Sequence, residues 1–195
     1  MRALRSHRSR QAGLVLISSL LLLLIITIIA VSMFRSFGVQ EKIAGNFREK
    51  ERATHAAEEA QEYAEWWLTS SYDTGVTAIC NSVIDANTEL SSVQVCSNKL
   101  PQSVDSASVA TVPWKINGAE VGVTYTPPGM VVSATPSAGT YAQPPSFYIS
   151  YLGTCKDNLN AYCYQIDAVG YGGTDQAVSV VESTYEVSSG VRSPT

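Results

Sequence analysis

The chain has 195 residues, of which 45% are hydrophobic and 15% charged, and it carries a formal net charge of -4. The residues beyond Thr69 suffice for one domain with its own core, and a second globular domain is not expected. Four of the 13 basic residues, Arg2, Arg5, Arg8 and Arg10, precede Gly13, so 9 basic side chains face 17 acidic ones after it, and no basic footprint for nucleic acid survives.

The N-terminal order is basic leader, Gly13, then an apolar run. An ordinary secretory signal puts its cleavage site after the apolar region; here the one processing point lies before it, and cleavage would keep the greasy segment. The run from Leu14 to Met33 is interrupted only by Ser18, Ser19, Thr27 and Ser32. As a helix rising ~1.5 Å per residue it spans roughly 30 Å, enough to cross a bilayer. Four arginines stand before it and Arg35 alone follows closely, which orients the N-terminus to the cytoplasm and everything after Ser36 outside. The plain alternative is a single-pass anchor or an uncleaved signal.

No proline occurs before Pro101, so one helix to Leu68 is sterically allowed. Such a helix from Leu14 would be about 80 Å long at ~1.5 Å per residue, apolar all round in its first half and amphipathic in its second. Ala53, Ala57, Ala60, Ala64 and Trp67 recur at steps of three and four and form a narrow stripe on which something must pack closely. Glu58, Glu59, Glu62 and Glu65 line a solvated face. Gly38 and Gly45 each cost roughly 1 kcal/mol against alanine in a helix and mark a softer joint. The segments are therefore residues 1–13 as a removable leader, 14–36 as the membrane helix, 37–68 as its amphipathic continuation and 69–195 as a β-rich outer domain.

Past Thr69 the composition is that of strands and turns. Glu120 to Thr126 and Phe147 to Leu152 are strand candidates, and Pro127 to Pro145 reads as a long surface loop. Residues Asn81 to Val112 give no assignment. Tyr162, Tyr164, Ile166 and Ala168 alternate with Cys163, Gln165 and Asp167; Gly170-Tyr171-Gly172-Gly173-Thr174-Asp175 supplies residues tolerant of positive φ, and a return strand runs from Gln176 to Val187. Val181, Ser183, Tyr185 and Val187 face one way there, while Val178 and Val180 break the alternation and suggest a bulge or strong twist.

Cys80, Cys96, Cys155 and Cys163 all fall on the outer side, where disulfides persist. Four cysteines allow three connectivities. Local pairing, Cys80 with Cys96 and Cys155 with Cys163, is expected because short loops close at less entropic cost. A metal site is not expected from this spacing, since the histidines, His7 and His55, lie far from any cysteine pair. Asp157-Asn158-Leu159-Asn160 lacks the spacing of a calcium loop and reads as a polar turn. No nucleophile motif surrounds His55 and no phosphate-cradling loop appears, so neither enzyme activity nor a cofactor is expected.

The leader ending at Gly13, the Leu14-Val15-Leu16-Ile17 start of a retained apolar helix, and Glu41-Lys42-Ile43-Ala44-Gly45-Asn46 ahead of Ala56-Ala57-Glu58 together resemble a type IV pilin, more narrowly the PilX-type minor pilins, with the pseudopilins of type II secretion related. The resemblance covers residues 10 to 65. It implies an α+β pilin-like fold in which the second half of the long helix packs on an antiparallel sheet. It also implies a prepilin peptidase cutting between Gly13 and Leu14, methylation of the new amino group on Leu14, and passage from the inner membrane into a filament on the cell surface. The partners implied are that peptidase, other minor pilins and the major pilin, with a tip adhesin as a further candidate.

One position departs from the family pattern. Most such pilins carry a glutamate at the fifth position after the cut, where it pairs with the amino group of a neighbouring subunit; here that position is Ser18. An ammonium in an apolar bundle needs a compensating anion, so the departure favours a place at the filament tip with no subunit ahead. Otherwise Ser18 is a tolerated membrane serine bonding back to the chain. The expected role is a minor pilin that initiates and caps a type IV pilus and supports twitching and adhesion. The alternatives are a type II secretion pseudopilin and an anchored periplasmic binding or sensor domain that keeps Met1 to Gly13.

Overall fold

The computed structural model describes residues 12–70, 77–100, 112–135, 137 and 139–188. A single helix, α1, runs from Ala12 to Ser70. The chain divides into two compact units between Asn46 and Phe47, inside that helix.

In the first unit the large apolar side chains from Leu14 to Ile43 are exposed. Nothing surrounds Gly38 or Gly45, and the helix is continuous through both. The segment is long and apolar enough to cross a membrane.

The second unit is a five-stranded sheet with the helix from Phe47 onward on one face. Its strands are β1 (Val83–Asp85), β4 (Gly122–Thr124), β5 (Ser146–Thr154), β6 (Ala161–Tyr171) and β7 (Val178–Ser188), in the spatial order β1-β4-β5-β6-β7. A separate hairpin pairs β2 (Lys115–Ile116) with β3 (Ala119–Glu120). All neighbours in the large sheet are antiparallel except β1 with β4, which are parallel. The sheet is thus mixed at that edge, in a stretch where the sequence gives no periodicity. The expected strand from Glu120 to Thr126 divides between two sheets: Gly122 adopts φ 128°, which turns the chain from β3 into β4. Asn117 at φ 52° and Gly118 at φ 84° make the tight turn of the small hairpin.

The helix-facing core joins Ala60, Ala64, Trp67 and Leu68 to Phe147, Ile149, Tyr164, Ile166 and Ala168. Tyr63 stacks on Tyr125 with ring centroids 3.9 Å apart, which anchors the helix over the β4 end of the sheet. A second cluster lies on the opposite face, with Trp114, Val121, Tyr148, Val169 and Tyr171 at its centre and Val178 and Val180 packed against it. That second cluster explains the broken alternation in the return strand. Pairing of β6 with β7 is unbroken from Ala161–Ser188 to Tyr171–Val178, so of the expected bulge or strong twist the ladder shows no bulge in β7. Val178 and Val180 simply face the other core, because both faces of the sheet are buried at this end. The irregularity lies in the β5–β6 ladder, between Tyr151 and Gly153.

Candidate functional site

Two parts of the molecule carry the candidate site: the start of the apolar helix and the seat of its continuation on the sheet. Met1 to Gln11, with the four leader arginines, lie outside the described residues. Gly13 lies within α1, and Leu14 is 73% exposed. Ser18 stands four residues on, one turn along the helix. Its hydroxyl donates to the carbonyl of Val15 at 2.9 Å, as Ser19 does to Leu16 at 2.9 Å and Thr27 to Leu24 at 2.8 Å. Three of the polar interruptions of the apolar run, Ser18, Ser19 and Thr27, are thereby satisfied inside the helix, which eases their entry into an apolar medium.

In the second unit the alanine stripe is fully buried: Ala53, Ala57, Ala60 and Ala64 have no exposed surface. Glu58, Glu59 and Glu62 on the opposite side are exposed. What packs on the upper part of the stripe is the backbone of β6. A Cβ at Gly170 would lie 2.8 Å from the carbonyl carbon of Ala56 and would overlap the Ala53 carbonyl oxygen and the Ala57 amide nitrogen. One at Gly172 would lie 2.7 Å from the Glu49 carbonyl oxygen. Neither glycine, nor Gly173, has positive φ. The glycines between the last two strands therefore serve close approach to the helix, and the turn tolerance read from sequence is not their function.

Polar contacts fasten the same crossing. The Gly173 amide donates to the Glu49 carboxylate at 2.6 Å, and Arg52 reaches that carboxylate at 3.1 Å. These contacts hold Glu49 below the usual carboxylate range, the Gly173 bond contributing most. Arg52 also donates to the carbonyl of Thr140 at 2.7 Å and lies over the Tyr141 ring, 4.4 Å from its centroid. Among the described residues of the stretch Pro127 to Pro145 there is no strand, though Val132 pairs with Tyr141, and Arg52 ties the stretch to the helix. Thr54 donates to the Ser179 hydroxyl at 3.0 Å, and Lys50 to the Val178 carbonyl.

The sulfurs pair Cys80 with Cys96 and Cys155 with Cys163, at Cα separations of 5.4 and 5.1 Å. Cys96 runs beside β5: its amide donates to the Ile149 carbonyl at 2.8 Å and its carbonyl accepts from Tyr151 at 2.9 Å. The first bridge thus secures an irregular segment against the sheet, and the second closes the β5–β6 turn. In that turn Asn158 accepts from the Asn160 amide at 3.2 Å and donates to Glu186 at 2.8 Å, the arrangement of a polar turn. Among the described residues, no group of three or more His, Cys, Asp or Glu is placed to hold a metal ion.

On the face away from the helix Asp167 is buried, with Tyr148 and Glu182 as its cross-strand neighbours. Burial first, and Glu182 second, push its carboxyl up to about 6, while a hydrogen bond from Gln165 opposes them. The sequence places Asp167 only in the row that alternates with Tyr162, Tyr164, Ile166 and Ala168, and does not single it out. Nor does it single out Glu49 and Arg52, which sit in a charge-rich run with no signal of their own.

A helix apolar in its first half, with its second half seated under a sheet, defines the pilin-like α+β class. Two family models match in tandem: PilX N-terminal over residues 12–61 and Type IV pilus assembly protein PilX C-term over residues 51–187. The chain belongs to this PilX family, a minor pilin of type IV pilus assembly. No curated protein and no solved structure matches it.

Proposed function

We propose that the chain is a minor pilin that helps initiate and cap the type IV pilus near its tip, and through the pilus supports twitching motility and adhesion. Ser18 carries this reading: its hydroxyl is turned back to Val15, and it offers no anion where the resemblance expects a glutamate. An ammonium on a subunit ahead would stay uncompensated in the apolar bundle, so the subunit suits a position with none ahead of it. Processing follows the same logic. A prepilin peptidase cuts between Gly13 and Leu14, because four leader arginines could not enter an apolar core without a heavy desolvation penalty. Before assembly the chain sits in the inner membrane with its N-terminus cytoplasmic, and its partners are the other minor pilins, the major pilin and a tip adhesin.

Deleting the gene and counting pili tests initiation: the expected result is a steep fall in pilus number, and full piliation would contradict it. Loss of protein export with normal pili would assign the chain to type II secretion instead. Immunogold labelling along the whole shaft would refute the tip position. Ser18→Glu is expected to leave membrane insertion intact and to shift labelling from the tip into the shaft.

A further inference from the structure

β7 is the last strand of the five-stranded sheet, and among the described residues no strand pairs with its outer edge. Natural edges are usually protected by shortness, lysine, proline or a bulge. β1, at the other edge, is 3 residues long; β7 is 11 residues long, contains neither proline nor lysine, and keeps an unbroken register with β6. Its two rows of side chains are chemically distinct. On the helix side Val181, Tyr185 and Val187 are half-buried, with Tyr185 and Val187 already packed on the main core. On the other side Glu182, Thr184 and Glu186 are exposed. Glu186 accepts from Asn158 and Glu182 lies beside Asp167, but among the described residues neither glutamate meets a cation.

We propose that β7 is a strand-addition surface that takes an extended segment of another polypeptide, with lysine or arginine opposite Glu182 and Glu186 and an apolar row beside Val181, Tyr185 and Val187. Backbone pairing supplies the attachment, the apolar row completes the partial burial of the helix-side residues, and the charge row selects the partner. A second copy of this chain is disfavoured, since joining two β7 strands would bring two acidic rows onto one face of the combined sheet. The surface is independent of where the subunit stands in a filament.

The test uses the purified full chain in detergent micelles and a fluorescent peptide of about nine residues, long enough to span most of the edge at ~3.3 Å per residue. The peptide alternates lysine with valine and threonine; one control replaces lysine with glutamate, and another carries N-methyl groups on its backbone. The lysine peptide should bind about tenfold more tightly than the glutamate peptide, the effect of two cross-strand charge pairs. It should protect Val178–Ser188 from hydrogen exchange, and the N-methylated peptide should do neither. Combining Glu182→Lys with Glu186→Lys should reverse the preference. Should that double variant misfold, Glu186→Lys alone should weaken binding of the lysine peptide by about threefold. Equal binding of the lysine and glutamate peptides, or undiminished binding after N-methylation, would overturn the proposal. So would protection of β7 that rises with protein concentration alone, which would make the occupant a second copy.

Discussion

The two halves of α1 treat their apolar residues in opposite ways. Before Asn46 the leucines, isoleucines and phenylalanines are exposed; from Ala53 onward the buried positions are mostly alanines. Size is the reason. A helix that meets a β-strand backbone to backbone has room only for methyl groups, as at Ala53, Ala56 and Ala57 under Gly170. A helix long and apolar enough to lie in lipid needs no such narrow seat and can be apolar all round with large side chains. One continuous element is thus fitted to two environments, and the choice of residue at each position records which environment it meets.

The sharpest way to break the seated half is Gly170→Val. Its Cβ would overlap helix backbone, which cannot swing aside as a side chain could, so the expected loss exceeds about 3 kcal/mol and the second unit should fail to fold. Protease resistance of the full chain is the readout, and a stable, resistant variant would refute the close-approach account. The other half is broken by Leu22→Arg, which should cost about 3 kcal/mol of membrane insertion at the middle of the span while both disulfides still form. Alkaline extraction of membranes measures it; a soluble, unfolded product would show that the halves are not independent.

Smaller effects separate the two faces of the sheet. Asp167 has its carboxyl raised to about 6, so the folded state binds its proton more tightly than the unfolded chain does. Its contribution is most favourable at acid pH and is lost as pH rises through about 6. Asp167→Asn should therefore stabilise the second unit above neutral pH by about 1 to 3 kcal/mol and flatten the dependence between about pH 4 and 6, as read by thermal unfolding. Glu49 carries the opposite sign. Its carboxyl is held low by Gly173 and Arg52, so its contribution is present above the usual carboxylate range and is lost as the pH falls below it. Glu49→Gln should cost about 0.5 to 1.5 kcal/mol at pH 7 and little at pH 3. Matching pH profiles for these two variants would contradict the assignment of one carboxylate to each face.

What the sequence disclosed followed from periodicity. The apolar run, the alanine stripe and the β6–β7 hairpin each repeat a pattern long enough to read, whereas the family resemblance rests on the residues around Gly13 and on Glu41-Lys42-Ile43-Ala44-Gly45-Asn46 ahead of Ala56-Ala57-Glu58. Two structural features escaped because their cause is tertiary. Gly170, Gly172 and Gly173 resemble turn residues until the helix is placed over them, and Val178 and Val180 look misregistered until a second core appears beneath them. The parallel pairing of β1 with β4 involves 3-residue strands, too short to show alternation. The Asn117-Gly118 turn went unread although the dipeptide is a hairpin signal, because only two paired residues flank it on each side and the pattern around it is brief. Ser18 was the reverse case: its identity was informative, and the structure adds where its hydroxyl goes.

Intact mass spectrometry of the chain recovered from sheared pili tests the central claim most directly, because the proposed role requires the apolar helix to be kept and the residues before Leu14 to be removed. The account predicts a mature chain that begins at N-methylated Leu14, with the leader through Gly13 gone and two disulfides intact. A pilus-associated chain that still carries Met1 to Gly13 would contradict it, as would one cut after Met33.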